Sequence, residues 1–393
     1  MITLHQSPTE AAFVQNPYPF YEAARAHGPF FHWADYGLTC TGNAAAVNAI
    51  FRDRRFGREV PAELAPAIPD HLRPFYAVEA HSMLELEPPR HTRLRSLVLR
   101  AFTSRRIAAL QPEIATLTHE LIDALPAGEF DLLKHFGQKL PVIIIARLLG
   151  VPEEMSDDLL RWSNAMVGMY MAGRTRATED RAVAATEAFV AFMRGYVEAR
   201  RNDPRDDLIT SLIAAESEGE RLTTDELITT CILLLNAGHE ATVHTIGNGV
   251  KTLLETKTPA SALAPEAAEG TVEEILRFDP ALHMFTRWAY EDIEVMGHRF
   301  RRGDQVALLL AAANRDPGVW DDPAKFRPAR PVKPNATFGA GLHFCVGAPL
   351  ARLELVTALP ILFERLPGLH LAAKPRYGDV YHFHGLTALP VSA

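Results

Sequence analysis

Apolar residues recur at three- and four-residue spacing along most of this chain, the period of a helix with one buried face. "PFYEAARAHG", ending at Gly28, predicts a short helix with a glycine stop. From His91 to about Glu255 nearly every window reads as helix, broken at Pro112, Pro126-Ala127-Gly128, Pro152 and Pro204. "DLLKHFGQKLPVIIIARLLGVP" is apolar enough for a buried helix. The longest continuous candidate runs from Thr223 to Glu255. It opens on Thr223-Thr224-Asp225-Glu226, good capping chemistry. Alternation appears in two places. "PFFHWADYGLTCTG" predicts a hairpin about Asp35-Tyr36-Gly37, and "HMFTRWAYEDIEVMGHRFRRGDQVALLL" predicts short strands. A proline-rich stretch from Asp316 to Pro334 follows, then a glycine-punctuated loop, a last long helix and short strands near "GDVYHFHGLTALPV". The pattern predicts a mainly α fold, residues 1–393 forming one domain. Its small β-rich part comes from about 20–60, about 280–310 and the C-terminus.

With 393 residues, 48% of them hydrophobic, the chain can bury a large core. A net charge of −8 argues against nucleic acid as the main partner. Cys40, Cys231 and Cys345 are odd in number and far apart, so they form neither a disulfide framework nor a zinc pattern. A reducing compartment fits. The opening "MITLHQSPTEAAFVQNPYPF" has no long apolar run and no signal-peptide pattern. The expectation is a cytoplasmic protein with no membrane anchor.

Cys345 changes the picture. It lies in "FGAGLHFCVGAPLAR", where glycines let the backbone turn tightly and approach a large flat object. A helix N-terminus follows, and its N–H groups favour a thiolate. Three uses compete on these residues alone: nucleophile, metal ligand, or inert core thiol.

The run Phe338, Gly339, Gly341, His343, Cys345 and Gly347 resembles the haem-binding signature of the cytochrome P450 family, soluble bacterial type. The resemblance implies the cytochrome P450 fold, a haem b, and Cys345 as axial thiolate on its iron, with thiolate donation favouring O–O cleavage. Further motifs agree. "EEILRF" holds Glu274 and Arg277 at i, i+3, similar to the family's Glu-x-x-Arg motif, and Arg330 in "FRPAR" resembles the arginine that completes a buried ionic cluster. His91 and Arg95 lie at i, i+4, and the family uses such a pair on the haem propionates. Arg287 and His343 match further propionate contacts, and buried carboxylates need such charged donors.

"LLLNAGHEATVHT" resembles the family's oxygen-activation motif. Ala237 and Ala241 share one helix face and clear space, Gly238 permits a local bulge, and Glu240 offers a proton relay. One departure matters. Ala241 stands where the family has a threonine whose hydroxyl helps deliver protons to dioxygen. Thr242 lies about 100° further round and cannot replace it. An ordered water or a substrate hydroxyl is the expected substitute. The gap leaves room for peroxide-driven turnover or oxidation other than hydroxylation.

By the resemblance, the chain is a monooxygenase that inserts one atom of O2 into a small, mainly apolar molecule. The reading from another class is a haem-binding sensor or carrier without chemistry. Expected pocket residues are Phe75, Met83, Met166, Met169, Leu233, Asn236, Ala237, His283, Phe285 and Leu386, with Met171 in the same lid. His283 and Asn236 are expected to orient one polar group. No flavin or iron–sulfur pattern is present, so a separate ferredoxin or flavodoxin is implied, docking on the Cys345 side. Arg93, Arg100, Arg105 and Arg106 are the expected basic patch, on a monomer.

Overall fold

The computed structural model describes residues 1–171, 173–217 and 222–393. Six helices position the site: α1 (Arg90–Ala101), α2 (Lys139–Leu149), α3 (Arg176–Asn202), α4 (Thr224–Glu255), α5 (Ala268–Phe278) and α6 (Ala348–Arg365). α4 is the axis of the molecule. Thr223 accepts from the Glu226 N–H and the Glu226 side chain accepts from the Thr223 N–H, so its first turn is capped as the sequence implied. α2, apolar nearly all round, packs along α4 and stops at Gly150, whose φ of 86° no branched residue adopts cheaply.

The expected bulge at Gly238 is absent: α4 is unbroken helix from end to end. Gly238 serves close approach instead, since a Cβ there would sit 2.8 Å from Ile145 of α2.

A six-stranded sheet flanks the helices. Its strands are β1 (Thr3–Leu4), β2 (Phe31–Trp33), β3 (Leu38–Thr41), β4 (Phe56–Gly57), β5 (Met284–Ala289) and β6 (Gln305–Leu309), in spatial order β1-β2-β3-β6-β5-β4. The β2–β3 hairpin turns at the predicted Asp35-Tyr36-Gly37. β5 pairs antiparallel with β6, Phe285 opposite Leu308 and Arg287 opposite Val306. Phe285 and Arg287, two apart, therefore share one face of the sheet.

One expectation fails. The His91–Glu255 span is not all helix: Glu129–Asp131 is a strand paired with Pro390–Ser392, and a π-turn occupies Leu133–Gly137. A three-residue strand shows no period of its own, and its partner lies at the far end of the chain.

The ionic cluster forms as expected. Arg277 makes a bidentate pair with Glu274 at 2.7 and 2.8 Å, and Arg330 adds a contact at 3.2 Å. Arg277 also donates to the carbonyls of Asn314 and Pro323, tying α5 to the loop that precedes Cys345. Both charges are at most 2% exposed. Glu274→Ala leaves Arg277 buried without an anion and should cost about 3–5 kcal/mol in chemical denaturation. Breaking the solvent-facing Arg176–Asp180 pair of α3 should cost less than about 1 kcal/mol.

No helix among the described residues is long and apolar enough to cross a membrane.

Candidate active site

The cysteine loop is built on two left-handed glycines, Gly339 (φ 66°) and Gly341 (φ 68°). A Cβ at Gly341 would meet the Phe51 carbonyl at 2.2 Å, so that position admits glycine alone. The Asn314 side chain pins the entry, accepting from the Ala336 N–H and donating to Thr337. The Cys345 N–H donates to the Phe338 carbonyl at 3.0 Å and closes the loop.

Cys345 keeps accessible sulfur while Cys40 and Cys231 are sealed in the core. The N–H groups of Gly347 and Ala348, at the start of α6, point at its Sγ. The expected stabilised thiolate is only half present. Desolvation pushes the thiol up, and those donors with Arg95 and Arg352 offset it in part. Local donors do not outweigh desolvation at this sulfur by themselves; coordination to a metal ion would.

Cations gather beside the loop. Arg95 of α1 donates to the Phe344 carbonyl at 2.6 Å. Arg287 of β5 is 4% exposed and lies 4.9 Å from the Phe51 ring. Among the described residues no carboxylate pairs with it, and burial pulls its guanidinium down to about 9. His91 is 1% exposed, its Nδ1 has no partner, and burial lowers it to about 4. His343 departs from expectation. Its ring lies 4.2 Å from that of His91, but its Nε2 meets Glu87 at 2.9 Å, a partner the sequence did not reveal.

On α4, Ala237 is exposed and Ala241 partly so, although most of the helix is buried. The two alanines share one face of the helix, as their i, i+4 spacing implied, and that face is left accessible. Thr242 is buried, and Thr245 donates its hydroxyl to the Ala241 carbonyl at 2.7 Å. Glu240 lies between two imidazoles, His239 Nε2 at 3.7 Å and His244 Nε2 at 3.5 Å. Burial raises its carboxyl, but the histidines outweigh burial and leave it below the usual range. His244 was readable as the i+4 neighbour of Glu240, yet the motif drew attention elsewhere.

The pocket expectations divide. Leu233, Asn236, Ala237 and Phe285 keep accessible surface. Phe75, Met83, Met166, Met169 and Leu386 are buried core by area. Residue 172 of the methionine stretch lies outside the described residues. His283 is a correction: fully buried, it bonds Tyr21 at 2.9 Å and its ring lies tilted 4.5 Å from that of His384, so it presents no surface to a ligand. The basic patch is also reduced. Arg93 is tied to Glu226, and Arg106 to Asp206.

A family model described as "Cytochrome P450" matches residues 67–367. The chain belongs to the cytochrome P450 family. It is 35% identical to the biotin biosynthesis cytochrome P450 of Bacillus subtilis (strain 168), with 100% of both chains covered. It is 36% identical to the cytochrome P450 monooxygenase PikC of Streptomyces venezuelae, covering 96% of this chain and 91% of that one. The crystal structure of P450BioI with an acyl carrier protein bearing hexadec-9Z-enoic acid superposes with a TM-score of 0.92, at 33% identity over 98% of this chain and 100% of that one.

The enzyme is thus a cytochrome P450 monooxygenase using a haem with a cysteine thiolate ligand, and O2. The residues present fit that group: an exposed cysteine whose sulfur is met by two N–H donors, a glycine cradle, and a buried guanidinium that no carboxylate pairs with among the described residues. Two variants separate their roles. Cys345→Ala should abolish the red-shifted Soret band of the ferrous carbon monoxide complex. Arg287→Leu should keep that band but release haem to apomyoglobin at least about tenfold faster, since a charged hydrogen bond contributes roughly 1.5–3 kcal/mol.

Proposed function

We propose that Cys345 holds the iron while His91, Arg95 and Arg287 hold the propionates, His343 sharing its imidazole with Glu87. The loop residues Phe338, Gly339 and Gly347 lie against the haem. Bound there, the haem supplies the oxygen chemistry, and the chain supplies binding, orientation and protons. The observation that carries this reading is the buried Arg287, with no carboxylate paired to it among the described residues, against the Phe51 segment that meets the loop of an exposed Cys345.

Glu240 is the chain's own proton relay on the distal side, a carboxylate that takes up a proton and passes it on. With Ala241 lacking a hydroxyl, that proton must cross a gap filled by a water or by a hydroxyl of the substrate. His239 and His244 hold the carboxylate ready for that step. Restoring the hydroxyl tests the gap. Ala241→Thr should change product formed per reductant consumed by about tenfold or less, the range of one hydrogen bond. Unchanged coupling with no peroxide leak in either enzyme would make the hydroxyl irrelevant.

The substrate is a small, mainly apolar molecule lying along Leu233, Asn236, Ala237 and Phe285. The P450BioI complex, with its long acyl chain, supports an extended shape. Electrons come from a separate ferredoxin or flavodoxin at the Cys345 face. A surface cleft of about 1330 Å³ between Phe51, Phe344 and Arg352 supports that docking place. Val319, Val332 and Phe344 are exposed there, beside Arg52 and Lys333. The contact is therefore part apolar, so reduction should slow only modestly as salt screens the basic rim. A steep fall would restore a mainly ionic patch.

A further inference from the structure

The two histidines that flank Glu240 are not equivalent. His239 Nδ1 meets the Leu235 carbonyl at 2.6 Å, and a carbonyl only accepts, so that nitrogen carries the hydrogen. Burial lowers this histidine and favours its neutral form. Its Nε2, 3.7 Å from Glu240 and without a hydrogen-bond partner, then holds a lone pair. Such a nitrogen accepts from a protonated Glu240 but has no proton to give. Only 1% of the His239 side chain is accessible, so water does not reload it.

His244 differs on each point. Its Nε2 lies 3.5 Å from Glu240 Oε1, one helical turn on, the order in which a cation after a carboxylate is favoured. Its Nδ1 has no partner, so no fixed bond dictates which nitrogen carries the hydrogen. It keeps 15% of its side chain accessible, as Glu240 does. Of the two imidazoles within ion-pair distance of Glu240 among the described residues, His244 is the one that water also reaches.

The C-terminal segment makes room for this ring. A Cβ at Gly385 would lie 2.0 Å from His244 Nδ1 and 2.2 Å from Cε1, so the imidazole occupies the place a side chain there would take. The Phe383 ring stands 5.8 Å away on the same segment. Glu240 and His239 share the helix with His244, and His384 of the facing segment is already bonded to Asp279 at 3.0 Å.

We infer that His244 is a positioning residue that acts through Glu240, reloading the carboxylate with a proton after each delivery. The inference rests on the proton-relay reading of Glu240 and adds the source of its protons. The step balances. The imidazolium N–H breaks at Nε2, an O–H forms at Glu240 Oε1, and water returns a proton to Nε2 while Nδ1 keeps its own hydrogen. At 3.5 Å the pair is just outside ordinary hydrogen-bond length, and an approach of roughly 0.5 Å completes it. His239 Nε2 then accepts from the loaded carboxyl and keeps the proton inside.

The test separates holding from loading. His244→Gln leaves an amide that still donates a hydrogen bond to Glu240 but cannot release a proton. Consumption of NADH in air is followed with a surrogate ferredoxin and its reductase, in H2O and in D2O, with no substrate added. His244→Gln should keep the red-shifted Soret band of the ferrous carbon monoxide complex, consume reductant at least about tenfold more slowly, and show a larger solvent isotope effect than wild type. Gly385→Ala leaves every polar group in place and only crowds the ring, and it should shift both readings the same way by less. Wild-type readings in His244→Gln, or in Gly385→Ala should His244→Gln fail to bind haem, would overturn the inference, because a hydrogen bond alone then suffices. Glu240→Gln keeps the two readings of this site apart. Slower consumption there but not in His244→Gln removes the loading role and leaves the Glu240 relay standing; wild-type consumption in both removes the relay itself.

Discussion

A buried guanidinium that no carboxylate pairs with among the described residues, though Glu85 and Glu87 lie close enough to act on its charge, is the constraint on which this structure turns. Arg277 is as deeply buried as Arg287, but Glu274 grips it with two hydrogen bonds. Arg200, also buried, has Asp207 as its ion-pair partner at 3.1 Å. Where the fold alone needs a buried cation, the chain builds its partner. At Arg287 it does not, and His91 nearby keeps an unpartnered Nδ1. Desolvated charge of one sign is unfavourable until a group of the opposite sign arrives. A bound group that brought a carboxylate to Arg287 would therefore stabilise the folded state by linkage.

The long helix α4 divides its faces by task. One stripe carries Leu233, Ala237 and Ala241 and leaves room. The next carries Glu240 between two histidines, where a charge is held with little water. Small residues on one stripe and a held carboxylate beside it are compatible because helical neighbours one apart point about 100° apart. Glycine at 238 lets α2 press close without bending the helix, which keeps the two stripes in register.

The cleft beside the cysteine loop mixes apolar and charged groups. Val319, Val332 and Phe344 are exposed there, Arg52 and Lys333 line it together with Glu269 and Glu273, and Arg352 pairs with Glu273. Surfaces of that mixed composition are typical of contacts that form and release.

Much of the site was legible in residue order. The loop around Cys345 needs glycines at fixed offsets, and the Glu274–Arg277 pair and the Thr223 cap are local to one helix turn. Such features survive in sequence because the groups that interact are a few residues apart. Elements joined across the chain were not legible: the Glu129–Asp131 strand with the C-terminus, His343 with Glu87, Arg93 with Glu226, Tyr170 with Glu79. Each depends on which segments pack together, and packing is decided by the sum of many weak burials rather than by any one motif. His283 shows the limit plainly. Its position beside the pocket strand was readable, but only the fold turned its ring toward Tyr21 and away from the ligand space.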